Sequence, residues 1–288
     1  MYKFMRVFIS LLSICSLLAG CSNQPATVQE ETTQATTAAT EATETVAVVP
    51  ETIVETEAVP SAEETACEEE EYVPSDINDP VLLPPAVSEE PCSFYDDAAF
   101  IGDSISYTLF LHNSKTQDLG KARFLVRGSL GIHNTLNGQL KIYYQGKEMT
   151  PWDAVAACGA KKVFIMLGMN DIGYYGIDGT MEKWDIFLEK IREKSPDVEI
   201  YIQSQTPMWT DANLDLLNND NIDLYNQELK EFAEESGCSF VNIAPYFKDS
   251  TNGLAQKYCN DKYVHMNFEG TTTWVKVLKA YAEELEGK

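Results

Sequence analysis

From residue 98 onward the chain alternates between two hydrophobic periods, and no other feature narrows its fold as much. Short, nearly continuous apolar runs occupy residues 98–101, 122–126, 162–167, 198–203 and 239–243. Runs of this length and density suit parallel strands covered on both faces. Between them the apolar residues recur at three- and four-residue spacing. Residues 180–194 carry Met181, Trp184, Phe187, Leu188 and Ile191 in that pattern. Residues 221–235 repeat it with Ile222, Leu224, Tyr225, Leu229 and Phe232, and residues 268–286 with Trp274, Val277, Leu278 and Tyr281. Thr150-Pro151 reads as an N-cap followed by proline at the first helical position, opening a helix to Cys158. Five strand-to-helix alternations predict a three-layer α/β/α sandwich.

The alternation starts late because the first third of the chain has a different composition. The 288 residues carry 21 Lys and Arg against 45 Asp and Glu, a formal net charge of −24. That charge is unevenly spread. Residues 1–21 hold Lys3 and Arg6 and no acid. Residues 22–90 hold 17 acids and no base. Residues 91–288 are left with about −9, ordinary for a soluble domain. Three segments follow: 1–21, 22–90 and the globular part, 91–288. Low complexity, self-repulsion and the lack of any sustained period predict a disordered acidic tether for residues 22–90, rich in Thr, Glu and Pro. As a flexible coil it has an r.m.s. span of about 45 Å. No basic stripe appears, so nucleic acid is not an expected partner.

Residues 1–21 read as an export signal. Lys3 and Arg6 make the positive end, and residues 7–18 form an apolar run of the length of a signal core, short of the ~20 residues of a membrane span. The run ends in Leu18-Ala19-Gly20-Cys21, which resembles the bacterial lipobox. That resemblance implies lipid attachment at Cys21 and a mature protein anchored on the outer face of the cell membrane. An ordinary cleaved signal or an uncleaved anchor is the alternative. Beyond Cys15 and Cys21 the chain has Cys67, Cys92, Cys158, Cys238 and Cys259. In an exported protein Cys67–Cys92 or Cys238–Cys259 bridges are open possibilities, which spacing does not assign. No Cys/His cluster with metal-ligand spacing is present.

In open α/β sheets the functional groups gather at the carboxyl ends of the strands. Those positions here hold Gly102-Asp103-Ser104, then Ser129-Leu130-Gly131, then Gly168-Met169-Asn170-Asp171, with Asp261 to His265 before the last helix. Together they offer a hydroxyl, glycine amides, a side-chain amide and an imidazole. Acyl transfer needs that set: a nucleophile (Ser104) beside a base (His265), and N–H donors for the developing oxyanion at Ser104, Gly131 and Asn170.

Phe100-Ile101-Gly102-Asp103-Ser104, Ser129-Leu130-Gly131, Gly168-Met169-Asn170-Asp171 and His265-Met266-Asn267 resemble, in order, the four blocks of the SGNH (GDSL) hydrolases. The resemblance covers roughly residues 94–285. It implies a flavodoxin-like fold with a five-stranded parallel sheet and a serine esterase without metal or organic cofactor. It also implies Ser104 as nucleophile, His265 as base, and Gly131 and Asn170 as oxyanion donors. One departure stands out. The family's acid lies three residues before the histidine, where this chain has Lys262, and Asp261 lies four before. Asp261 is either the third member of a Ser-His-Asp triad or a solvated loop acid.

The same residue types have structural readings. Ser104 and Asp103 suit a helix N-terminus, Asn170 a turn, and Gly131 a positive φ. Asp171 reads as structural, and His112 as lying away from the site. His133 is a candidate cleft residue, and Tyr174, Tyr175 and Trp209 follow strands closely enough to shape a groove or simply to pack. The leading expectation is a cell-surface esterase acting on small acyl esters, especially acetyl groups on carbohydrates. The competing ones are an O-acyltransferase acting on a surface glycan and a catalytically weak glycan-binding protein.

Overall fold

The computed structural model describes residues 73–287. The expected signal, Cys21, Cys67 and most of the expected tether lie outside the described residues.

The apolar runs form one parallel sheet. Its strands are β1 (Ala98–Gly102), β2 (Arg123–Val126), β5 (Lys162–Met166), β6 (Glu199–Gln203) and β7 (Ser239–Val241). They lie in the order β2-β1-β5-β6-β7. Within this sheet that is 2-1-3-4-5, the flavodoxin-like order. Register fixes a row of rings across it. Phe100 is opposite Phe124 and Phe164, and Phe164 opposite Tyr201. Their stacked centroids lie 5.2, 5.0 and 4.5 Å apart. Side chains on a strand alternate faces, so a slip of one residue would send the whole row to the opposite layer.

Among the described residues the helices are, in chain order, α1 (Ser104–Thr116), α2 (Ile132–Leu136), α3 (Pro151–Cys158), α4 (Met169–Met181), α5 (Trp184–Lys194), α6 (Asn219–Glu235) and α7 (Phe268–Glu286). Helices α1 and α7 pack together on one face of the sheet. Helices α3, α5 and α6 cover the other through Trp152, Phe187, Trp184 and Phe232. The predicted α3 and α7 begin and end where the sequence places them, and Thr150 caps α3 by accepting from the Asp153 N–H.

Four elements have no counterpart in the sequence pattern. Helix α4 carries Gly173, Gly176 and Gly179, which weaken a helical signal, and it kinks at Gly176 (φ 66°). Its end was legible only as the beginning of α5. The short α2 spans too few residues to show a period. The antiparallel pair β3 (Ile142–Tyr144) and β4 (Lys147–Met149) turns through Gln145 and Gly146, both at positive φ.

The thiols of Cys158, Cys238 and Cys259 are free, so the open Cys238–Cys259 pairing is not formed. The end of the expected tether, residues 73–90, is among the described residues. Residues 73–90 run along the domain as a strap. The Val81 N–H donates to the Lys248 carbonyl (2.8 Å) and the Gln256 N–H to the Asn78 carbonyl (3.0 Å). Lys279, 4 % exposed, donates from Nζ to the carbonyls of Ser88 and Glu90 at 3.1 and 3.0 Å. The strap is held by backbone groups, which composition does not reveal.

Candidate active site

Strands β1 and β5 are neighbours at the point where the strand order reverses, the usual place for a ligand cleft. Ser104 follows β1 and Asn170 follows β5. Asp103 caps α1, accepting the Ile105 N–H at 2.9 Å. That cap turns the chain sharply out of the strand and leaves Ser104, half-buried, at the first helical position.

Ser104, His265 and Asp261 form a continuous hydrogen-bonded chain. Ser104 Oγ lies 2.9 Å from His265 Nε2, and His265 Nδ1 lies 2.5 Å from Asp261 Oδ2. The extra residue between acid and imidazole is absorbed by Lys262, which takes a left-handed conformation (φ 56°). The other carboxylate oxygen of Asp261 accepts the backbone N–H of Tyr263 at 2.9 Å and of His265 at 3.3 Å. Partial burial opposes charge on Asp261. The hydrogen bonds from the His265 ring and from these amides outweigh it and hold the carboxyl below its ordinary range. An acid that stays ionised fixes the imidazole tautomer with Nε2 free to take a proton from the hydroxyl.

The side-chain amide of Asn170 ties three loops together. Its Nδ2 donates to Asp103 Oδ2 at 2.8 Å and to the Leu130 carbonyl at 3.3 Å. Burial pushes the Asp103 carboxyl up to about 6, against the hydrogen bond from Ile105 and the attraction of His265. Gly131 sits beside Asn170 because Leu130 does. Its N–H donates to Asn134 Oδ1 at 2.9 Å. A Cβ at Gly131 would meet the Asp171 carboxylate at 2.8 Å, so close approach is what calls for glycine there. Asp171 accepts the N–H groups of Ile132 (2.8 Å) and His133 (3.0 Å), and burial raises its pKa despite them.

The loop before Asn170 has a similar constraint. Gly168 has φ 132°, and a Cβ there would come 2.2 Å from the Tyr225 hydroxyl oxygen. That hydroxyl donates to the Leu167 carbonyl (2.9 Å) and accepts from Trp184 Nε1 (2.8 Å). Two residues legible only as helix-face core thereby hold the turn that presents Asn170. No signal in the sequence separates Tyr225 from its core neighbours. Asn134 has a faint one, since it lies three residues after Gly131, the spacing of a capping box.

The remaining candidates divide. His133 is committed to the Gly179 carbonyl (2.9 Å) and stacks on Tyr175 at 3.6 Å. Tyr174 is 82 % exposed. Trp209 is half-buried, its backbone N–H donating to the Tyr263 carbonyl at 2.6 Å. His112 is buried between Asp118 and Thr271. Among the described residues no three His, Cys, Asp or Glu side chains converge as a metal would require.

The family model of the GDSL-like lipase/acylhydrolase family matches residues 100–272. The chain belongs to this family. The match runs from Phe100 in β1 into α7 and contains all five candidate catalytic and oxyanion positions. Its reaction class is carboxylic-ester hydrolysis. Among solved structures, a GDSL-like lipase from Bacteroides thetaiotaomicron is 16 % identical, with a TM-score of 0.52 over 68 % of this chain and 91 % of that one. A Bacteroides fragilis structure described as an acylhydrolase gives the same TM-score and identity over 68 % and 90 %. At that identity the likeness extends to the fold, which it shares. Comparison with curated proteins returned no match.

Proposed function

We propose that this acylhydrolase is a serine esterase that removes small acyl groups, acetyl above all, through Ser104, His265 and Asp261. The observation that carries the reading is the unbroken Asp261–His265–Ser104 hydrogen-bond chain at the carboxyl edge of the sheet. Ser104 Oγ attacks the ester carbonyl carbon while His265 Nε2 takes its proton, and the carbonyl π pair moves onto oxygen. The amides of Ser104, Gly131 and Asn170 donate to that oxyanion. Collapse expels the alcohol, which receives the proton from His265. Water, deprotonated by the same imidazole, then releases the acid and restores Ser104. Asp261 holds the ring and offsets the imidazolium charge.

The ester this reading favours is one carried on a carbohydrate, since the exposed Tyr174 and the Tyr175–His133 stack follow the two donor loops. The sequence at Leu18–Cys21 supports export and lipid anchoring on the outer face of the membrane. Cys21→Ala tests the anchor: the variant is expected in the soluble fraction after export, and one still bound to membranes after signal removal would refute it. For the chemistry, p-nitrophenyl acetate turnover is expected to vanish in Ser104→Ala and His265→Ala. Wild-type rates in Ser104→Ala would end the proposal.

A further inference from the structure

Two of the donors expected to receive an oxyanion, the Gly131 N–H and the Asn170 amide, have acceptors in the resting protein. At the start of α2 three successive N–H groups each donate to a side-chain acceptor. Those of Ile132 and His133 go to the buried Asp171 carboxylate. That of Gly131 goes to Asn134, a half-buried side chain with a neutral amide oxygen. The same amide donates through Nδ2 to the Ser129 carbonyl at 2.8 Å. It closes a small ring over residues 129–131, in which Ser129 takes a left-handed φ of 60°. Of the three amides, only Gly131's partner is both uncharged and able to swing out by side-chain rotation.

We infer that Asn134 is a positioning residue for ester hydrolysis, one that holds the Gly131 N–H at rest and yields it to the oxyanion. The inference rests on reading Gly131 as an oxyanion donor. The exchange is selective by strength. A ground-state ester carbonyl is a neutral acceptor like the Asn134 oxygen, so displacing one by the other gains almost nothing. The tetrahedral oxyanion accepts a hydrogen bond about twice as strong. The Gly131 donor therefore changes partner as charge develops and acts on the transition state rather than on substrate binding. Meanwhile the ring through Ser129 keeps the N–H aimed, so no loop has to be ordered during the reaction.

Asn134→Asp tests this because it preserves size and the acceptor atom and replaces a neutral occupant with a charged one; it also gives up the donation to the Ser129 carbonyl, a loss that Asn134→Ala shares. An acid in the first turn of a helix is also favourable for its stability. The carboxylate holds the Gly131 N–H firmly and repels the oxyanion. We expect kcat for p-nitrophenyl acetate to fall about 100-fold with KM within about threefold. The inhibition constant of phenylboronic acid, whose serine adduct is tetrahedral and anionic, should rise in parallel and further than in Asn134→Ala, which loses the same bond to Ser129. Asn134→Ala removes the occupant and the ring that aims the N–H, leaving water in their place, and should lower kcat about fivefold to tenfold, well short of the Asp variant. An Asp variant with wild-type kcat and boronate affinity overturns the inference. An Ala variant that loses as much as the Asp variant also overturns it, since Asn134 would then serve the shape of the turn alone. Should Ser104→Ala hydrolyse the ester as fast as wild type, the serine mechanism itself fails, a result read separately from either Asn134 variant.

Discussion

Replacing Asp103 by Asn probes how the site is held. The carboxyl is 1 % exposed and joins the Ser104 turn to Asn170. Asn keeps an oxygen for the Ile105 N–H but turns an NH2 group toward the Asn170 NH2. Two donors cannot share a hydrogen bond, so the Asn170 amide must rotate and, in the proposed mechanism, present oxygen where the oxyanion forms. Losing one such donor lowers kcat by about 10²–10³-fold, or about 3–4 kcal/mol of transition-state stabilisation. Stability responds differently, through pH. Burial raises the Asp103 pKa from 3.8 to about 6. Between these values the folded protein keeps a proton that the unfolded chain has released. Stability from this group is therefore full below about pH 4 and is lost as pH rises through 6, to the extent of about 3 kcal/mol. The amide that replaces it in the Asp103→Asn variant does not titrate. The wild-type minus variant difference in melting temperature should shrink from pH 4 to pH 7, while p-nitrophenyl acetate kcat at pH 8 is reduced. A variant with kcat within threefold of wild type, or a temperature difference flat across that range, refutes the reasoning.

Three further outcomes follow from the geometry. Asp261→Asn should cut kcat at least about 10-fold yet less than His265→Ala, because the acid orients the base without touching substrate; esterase rates equal to wild type would remove Asp261 from the mechanism. Lys262→Gly should leave activity and urea midpoint near wild type, whereas Lys262→Val, forced into a left-handed φ, should lose about 1–2 kcal/mol and part of the activity. Equal midpoints for the two would show that the inserted residue is not conformationally constrained. Gly168→Ala should destabilise by about 3 kcal/mol or more, since its Cβ meets the Tyr225 hydroxyl at a φ foreign to alanine. A wild-type urea midpoint would disprove that.

The sheet was readable because burial on both faces leaves apolar runs such as residues 162–167 that nothing else in the chain imitates. Helices α3 and α7 were readable from cap and stripe. Helix α4 was not, since its glycines serve the kink and the contacts of Tyr175 and Leu217 rather than a stripe. At the site, the residue types that Ser104 and Asn170 supply were legible at strand ends, and His265 just before the last helix. Spacing alone left Asp261 ambiguous, and what resolved its distance to His265 was a backbone angle at Lys262, which a lysine does not advertise. The links from Asn134 to Gly131 and from Tyr225 to Leu167 are tertiary, and the sequence carries no record of them beyond ordinary polar and aromatic letters.

The strap beneath Lys279 redraws where this domain can be cut. A chain begun at Pro91, where composition changes, would strip the buried ammonium of the Ser88 and Glu90 carbonyls and leave it Asp118, 3.4 Å away and already engaged by His112. Taking two carbonyl partners from an ammonium that the fold buries is costly. The heritable and transplantable unit is therefore longer than its catalytic motifs suggest. Any graft of this esterase onto another carrier has to bring along the acidic, proline-rich piece that looks most like disposable linker.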